Sequence, residues 1–147
     1  MRDVFAKPPS PPDKGLAVVM ASPSAGECRS LRSICGYWKW RLHEARSCQE
    51  ALLLARKHHV PVVISEPSLA DGDWRTILDG LAELPEQPRL IVSSRLADHH
   101  LWADVLSLGG YDVLITPFDP TEVSRVVFLA WQSAIQERDL KAAANVA

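Results

Sequence analysis

Apolar and polar positions along this chain follow two periods in turn, one of two residues and one of three to four. Leu16–Ser22 is a short apolar run and reads as a first strand. In the helix that follows, Cys28, Leu31 and Cys35 recur at spacings of three and four and share one face. From Trp38 to Ala45 the period is two, with Trp38, Trp40 and Leu42 to one side and Lys39, Arg41 and His43 to the other, which predicts a second strand. Ser47-Cys48-Gln49-Glu50 has the form of a capping box opening the second helix, a cap that contributes about 1 kcal/mol. Val60–Ser65 is a continuous run rich in β-branched residues, as expected of a strand buried on both faces. Asp71 or Asp73 is placed to cap a third helix carrying Trp74, Ile77, Leu78 and Leu81. Leu90–Ser94 is a fourth strand. Asp98 starts a fourth helix in which Leu101, Val105 and Leu108 point inward and Gly109-Gly110 is the stop. Val113–Ile115 is a fifth strand, and Asp119-Pro120-Thr121-Glu122 opens a last helix reaching about Leu140.

Five β/α units in succession predict an α/β domain with a mainly parallel sheet, doubly wound, with helices on both faces. In that class, sites form beyond the carboxyl ends of the strands. Those ends carry Ser22, Glu66, Ser94 and Thr116.

The chain's 147 residues are enough for one domain with a real core. Pro8, Pro9, Pro11 and Pro12 mark residues 1–14 as a loose or extended tail. The domain is expected over residues 15–140, with a short tail at 141–147. A formal net charge of −2 gives no basic excess, so no nucleic-acid surface is expected. No apolar run approaches the roughly 20 residues of a membrane span, and no signal peptide is read. Cys28, Cys35 and Cys48 lack a metal-ligand spacing and are expected as reduced, partly buried thiols of a cytoplasmic protein.

Four segments carry a resemblance. Val62-Val63-Ile64-Ser65-Glu66 followed by Pro67-Ser68-Leu69-Ala70-Asp71-Gly72-Asp73-Trp74 resembles the central strand and loop of bacterial two-component response-regulator receiver domains. Ile115-Thr116-Pro117-Phe118-Asp119-Pro120 resembles their last strand and its Lys-Pro-Phe turn. Leu90-Ile91-Val92-Ser93-Ser94 resembles their fourth strand, and Val18-Val19-Met20-Ala21-Ser22-Pro23 their first strand and acidic turn. The match covers about residues 16–138 and implies a flavodoxin-like sheet of strand order 2-1-3-4-5. It also implies a phosphorelay signalling role rather than an enzyme.

The family's chemistry does not carry over with the fold. Where the resemblance puts the phosphoacceptor aspartate, this chain has Glu66; where it puts two magnesium-binding acids, Met20 and Ala21; where it puts a lysine, Thr116. The hydroxyl position is kept as Ser93, and a loop proline is replaced by Ala70. Phosphoryl transfer needs developing charge neutralised and the acceptor held in line. Magnesium takes hard oxygen ligands, which a thioether and a methyl group do not supply. The extra methylene of Glu66 moves its carboxylate by about a bond length, a misplacement that can cost two orders of magnitude in rate. The expectation is a pseudo-receiver with no magnesium or other cofactor, in which Glu66 either mimics the phosphorylated state or simply bonds to nearby groups.

Other candidates have plainer readings. Asp71 and Asp73 beside Glu66 suggest a cation site but are better explained as turn and cap residues. The pairs His58-His59 and His99-His100 point about 100° apart on a helix, a poor bidentate arrangement. Arg95 is a candidate to reach Glu66 in place of the missing lysine.

No stretch remains for an effector domain, so output is expected through a protein partner of a signalling pathway. Receivers often use the face of the fourth helix, fifth strand and fifth helix for partners and dimers. Here Trp102 and Leu106 flank the inward stripe of the fourth helix. Phe128, Trp131 and Ile135 flank the inward stripe Val123, Val126, Val127, Ala130 and Ala134 of the fifth. The two flanks are expected to join into an apolar patch serving a partner or a homodimer. The family's aromatic switch position on the fifth strand is matched by Val113, so this face is expected to be fixed. The alternative reading is a small flavin- or phosphate-binding protein, for which Ser22-Pro23-Ser24-Ala25-Gly26 offers a hydroxyl-rich turn entering a helix.

Overall fold

Two strands, β1 (Ala17–Ala21) and β3 (Val62–Ser65), are buried at every residue, as their unbroken apolar sequences require. A computed structural model describes residues 15–96 and 98–145. Between the two strands lie α1 (Ala25–Trp38), β2 (Arg41–Ala45) and α2 (Cys48–Lys57). After β3 come a small antiparallel pair, β4 (Ser68–Leu69) and β5 (Gly72–Asp73), then α3 (Trp74–Ala82) and β6 (Arg89–Ser94). The chain finishes with α4 (His99–Leu108), β7 (Asp112–Ile115) and α5 (Pro120–Asn145).

The five long strands form one parallel sheet in the order β2-β1-β3-β6-β7, which is 2-1-3-4-5 when only sheet strands are counted. Alternate strand residues feed two cores. Val18, Met20, Val62, Ile64, Ile91 and Leu114 meet α1 and α5 on one face. Val19, Ala21, Val63, Leu90, Val92 and Val113 meet α2, α3 and α4 on the other. The strand order also sorts the chain in space. The first two β/α units lie at the β2 edge and the last two at the β7 edge.

Several expected boundaries move. The second strand starts at Arg41, not Trp38, because Trp38 closes α1 and Lys39 takes the left-handed C-cap conformation at φ 61°. The period-two pattern there survives as packing, with the Trp38 and Trp40 rings stacked 6.0 Å apart. Ser47 does cap α2, accepting from the Glu50 N–H at 3.1 Å, while the Glu50 carboxylate reaches one residue further back, to the Arg46 N–H at 2.6 Å. The last helix continues through Asn145, so residues 141–145 are helix rather than tail. The expected tail at 1–14 lies outside the described residues. The three cysteines are free and buried, and burial pushes the Cys35 thiol up to about 12. Among the described residues no helix is long and apolar enough to cross a membrane.

Candidate functional site

Strand register builds the first site. Ala21 pairs with Ser65 and Ser65 with Val92, so the carboxyl ends of β1, β3 and β6 lie side by side. The Glu66 N–H donates to the Ala21 carbonyl at 3.0 Å, and the Ser22 N–H to the Ala45 carbonyl at 3.0 Å. These bonds carry the sheet one residue beyond its strands and set Ser22 beside Glu66. The Ser22 hydroxyl bonds to Glu66 Oε2 and accepts from the Ser24 N–H at 3.2 Å. The hydroxyl of Ser65 donates to the Glu66 carbonyl at 2.8 Å. Sequence reasoning placed Ser22 and Glu66 at neighbouring strand ends but did not pair them; the adjacency of the first and third strands in the 2-1-3 order was the available signal.

The remaining pocket positions are closed in. Met20 is 0% exposed and part of the α1/α5 core, and Ala21 is 0% exposed in the opposite core. Ser93 is fully buried and its Oγ has no hydrogen-bond partner. Thr116 is buried, its N–H bonded to the Ser94 carbonyl at 3.2 Å, and the peptide to Pro117 is cis. Arg95, the candidate to reach Glu66, pairs instead with Glu27 at 3.5 Å across to α1.

The two loop aspartates divide their work. Asp73 caps α3, accepting from the Arg75 and Thr76 N–H groups. Asp71 instead accepts from the Cys48 N–H at 2.8 Å and the Gln49 N–H at 3.1 Å, capping α2 from a different segment. Those two backbone donors hold its carboxyl below the usual aspartate range. The β4–β5 loop is therefore tied to α2 and α3 together. Neither histidine pair forms a ligand set with itself. His58 stacks on His43 with centroids 4.2 Å apart, and His59 Nδ1 lies 2.7 Å from Glu86 Oε1.

A second candidate lies at the β7 edge. Trp102 is 50% exposed and Leu106 37%, on the outer flank of α4. A groove of about 380 Å³ runs between α4 and β7, lined by Asp98, His99, Trp102, Val113 and Ile115. Ile115, 62% exposed, was not singled out in the sequence; its position at the end of an edge strand is what leaves it open. Leu108, expected to point inward, is exposed, since the last turn of α4 reaches past its one buried residue, Val105.

The α5 flank is not where the helical pattern alone suggested. Arg138 Nη2 donates to the His59 carbonyl ahead of β3 at 3.3 Å. Arg89, which opens β6, reaches Ser133 Oγ at 3.2 Å and Glu137 Oε2 at 3.1 Å. These anchors fix the rotation of α5. At 100° per residue, Phe128, Trp131 and Ile135 fall on the Arg138 side, toward β3 and α1, and Leu129 on the Ser133 side, toward β7. All three are partly buried; Trp131 packs on the α1/α5 core, and Phe128 meets it at 5.6 Å. The stripes on α4 and α5 therefore do not join, and α5 offers the exposed Leu129 to the β7 edge instead.

This sheet order, these two cores and this arrangement of strand ends define the response-regulator receiver fold. No family model and no curated protein matches the sequence, but solved structures do. The signal receiver domain of an HD domain-containing protein from Pseudomonas fluorescens Pf-5 aligns with a TM-score of 0.75 at 24% identity, over 84% of this chain and 92% of that one. The beryllofluoride-activated NtrC4 receiver domain dimer aligns with a TM-score of 0.73 at 19% identity, over 80% and 98%. CheY in the CheX-CheY-BeF3-Mg complex from Borrelia burgdorferi aligns with a TM-score of 0.72 at 21% identity, over 80% and 90%. This chain is thus a receiver-like domain in fold.

Proposed function

We propose that this chain is a signalling module of the two-component type that works through protein contacts and does not accept a phosphoryl group. The observation that carries the reading is the state of the pocket. Glu66 is engaged by Ser22, and the positions that would hold magnesium and the phosphoryl oxygens are Met20, Ala21 and Thr116, all buried. Met20 and Ala21 supply no carboxylate to hold a magnesium ion, and Thr116 supplies no positive charge to face the phosphoryl oxygens. The same geometry gives no support to a flavin or phosphate ligand. The turn from Ser22 to Gly26 sits beside the Glu66 carboxylate, which repels an anion, and the Ser24 side chain makes no cap bond to α1. The α4–β7 face, with Trp102, Leu106 and Ile115 in the open, is the contact surface.

Intact mass after incubation with acetyl phosphate and magnesium tests the reading. The expected result is no stable gain of one phosphoryl group. Glu66→Asp alone is expected to stay inert, because it restores the reach of the acceptor and nothing else. Recovery should require acids at 20 and 21 and a lysine at 116 as well. An acid-stable, base-labile phosphoryl adduct on the unaltered chain would overturn the proposal.

A further inference from the structure

Charge around the α4–β7 groove says what kind of partner fits it. Between Asp98 and Gln132 the chain has five carboxylates, Asp98, Asp104, Asp112, Asp119 and Glu122, against a single basic residue, Arg125. Asp98 lines the groove itself, Arg125 pairs with Glu122 at 3.8 Å, and Asp104, about 200° round α4 from Trp102, is met by Arg75 of α3 at 3.6 Å and faces away from the groove. Among the described residues the other three carboxylates bond to backbone N–H groups: Asp98 to Leu101 at 2.9 Å, Asp112 to Val113 at 2.8 Å and Asp119 to Thr121 at 3.2 Å. Beside these carboxylates Trp102 and Ile115 line the groove and stand exposed, with Leu106 also exposed further along α4, and exposed apolar groups gathered in this way mark contact sites.

We infer that this groove docks a basic segment of another protein, with one bulky apolar side chain seated between Trp102 and Ile115 and Lys or Arg residues facing the acidic rim. The groove volume, about 380 Å³, accommodates one large side chain and its flanking backbone. A second copy of this chain is the weaker fit. A two-fold contact through the same face sets the acidic rim against itself, and like charges across an interface oppose association. The inference rests on the reading of the chain as a contact module and adds the chemistry of the partner.

The test is selection of a displayed random dodecapeptide library on the wild-type protein, followed by direct binding of the enriched peptides. Enriched sequences are expected to carry net positive charge and a bulky apolar residue. Their binding should drop at least tenfold with Ile115→Glu, and about tenfold between 50 and 500 mM salt as screening shortens the reach of the rim charges. The double change Asp112→Asn with Glu122→Gln should weaken binding and flatten that salt dependence. Ile115 is exposed, so the variant is expected to fold, and circular dichroism checks it. Enrichment of acidic or neutral peptides, binding that ignores Ile115→Glu, or no enrichment overturns the inference. So does a sedimenting dimer that Ile115→Glu dissociates, since the occupant is then a second copy. Phosphoryl incorporation, measured on the same preparation, judges the underlying reading separately.

Discussion

At Met20 and Glu66 two neighbouring strand ends of the receiver-like fold put their side chains to different uses. The methionine side chain fills the α1/α5 core, and the glutamate has a hydroxyl partner across a strand boundary. Two titrating residues away from the pocket contribute to how stability follows pH, alongside Glu86 and Glu137, whose carboxyls are also held low, Glu137's by its bond to Arg89. The Asp71 carboxyl is held low by the Cys48 and Gln49 N–H groups, so the unfolded chain takes up its proton first. The stability from Asp71 is complete above its unfolded value of about 4 and fades as pH falls through its lower folded value. For His43, burial and then the neighbouring His58 and Arg41 lower the imidazole value. The unfolded chain again binds the proton more readily, so acidification below about pH 6.5 costs stability there too. Thermal unfolding by circular dichroism is expected to show the midpoint falling in two stages between pH 8 and pH 3. His43→Gln should flatten the upper stage. Asp71→Ala should lower the midpoint at pH 7 and shrink the lower stage. An unchanged acid limb in Asp71→Ala would show that the α2 cap is not the titrating contact.

Among the elements, α4 shows how local chemistry stops a helix. Gly109 takes φ 108°, and Gly110 donates to the Val105 carbonyl at 2.7 Å. A methyl group added at Gly110 would stand 2.4 Å from a Val105 side-chain carbon and 2.9 Å from its carbonyl oxygen. Gly110→Ala is therefore expected to destabilise the fold by about 1–3 kcal/mol, as overpacking does, measured by urea unfolding. A neutral effect would mean that the turn relaxes without loss. Every sheet strand and every helix was legible from period and caps, since each depends on residues close in sequence. The start of β2 was not, because a left-handed Lys39 bends the chain in the middle of an alternating pattern. The β4–β5 pair was missed because two-residue strands have no period to read. Helical spacing found the inward face of α5 correctly. It did not show which neighbour each flank meets, because Arg89 and Arg138 set that rotation through contacts more than forty residues away. At the candidate pocket, the residue types at positions 20, 21, 66 and 116 were legible one by one, while the Ser22 bond to Glu66 needed the register of two strands.

For the molecule as a whole, strand order turns a sequence bias into a spatial one. Residues 15–59 hold seven Lys or Arg and three Asp or Glu, and residues 60–147 hold six and thirteen. In the order β2-β1-β3-β6-β7 the first segment occupies the β2 edge, while the second spans the centre of the sheet and the β7 edge. The described residues therefore carry a positive excess at the β2 edge and an acidic excess over the rest of the sheet, although the formal net charge of the chain is only −2. Such a field orients an approaching charged partner before contact and speeds productive encounter, an effect that salt removes. It also governs how the protein meets a charged matrix. At pH 7 and low salt the chain is expected to bind a cation exchanger through its β2 edge as well as an anion exchanger through the acidic remainder. Arg29→Glu with Lys39→Glu should abolish the first retention and leave the second. Passage of the unaltered protein straight through a cation exchanger would show that the two regions are too finely mixed to act separately.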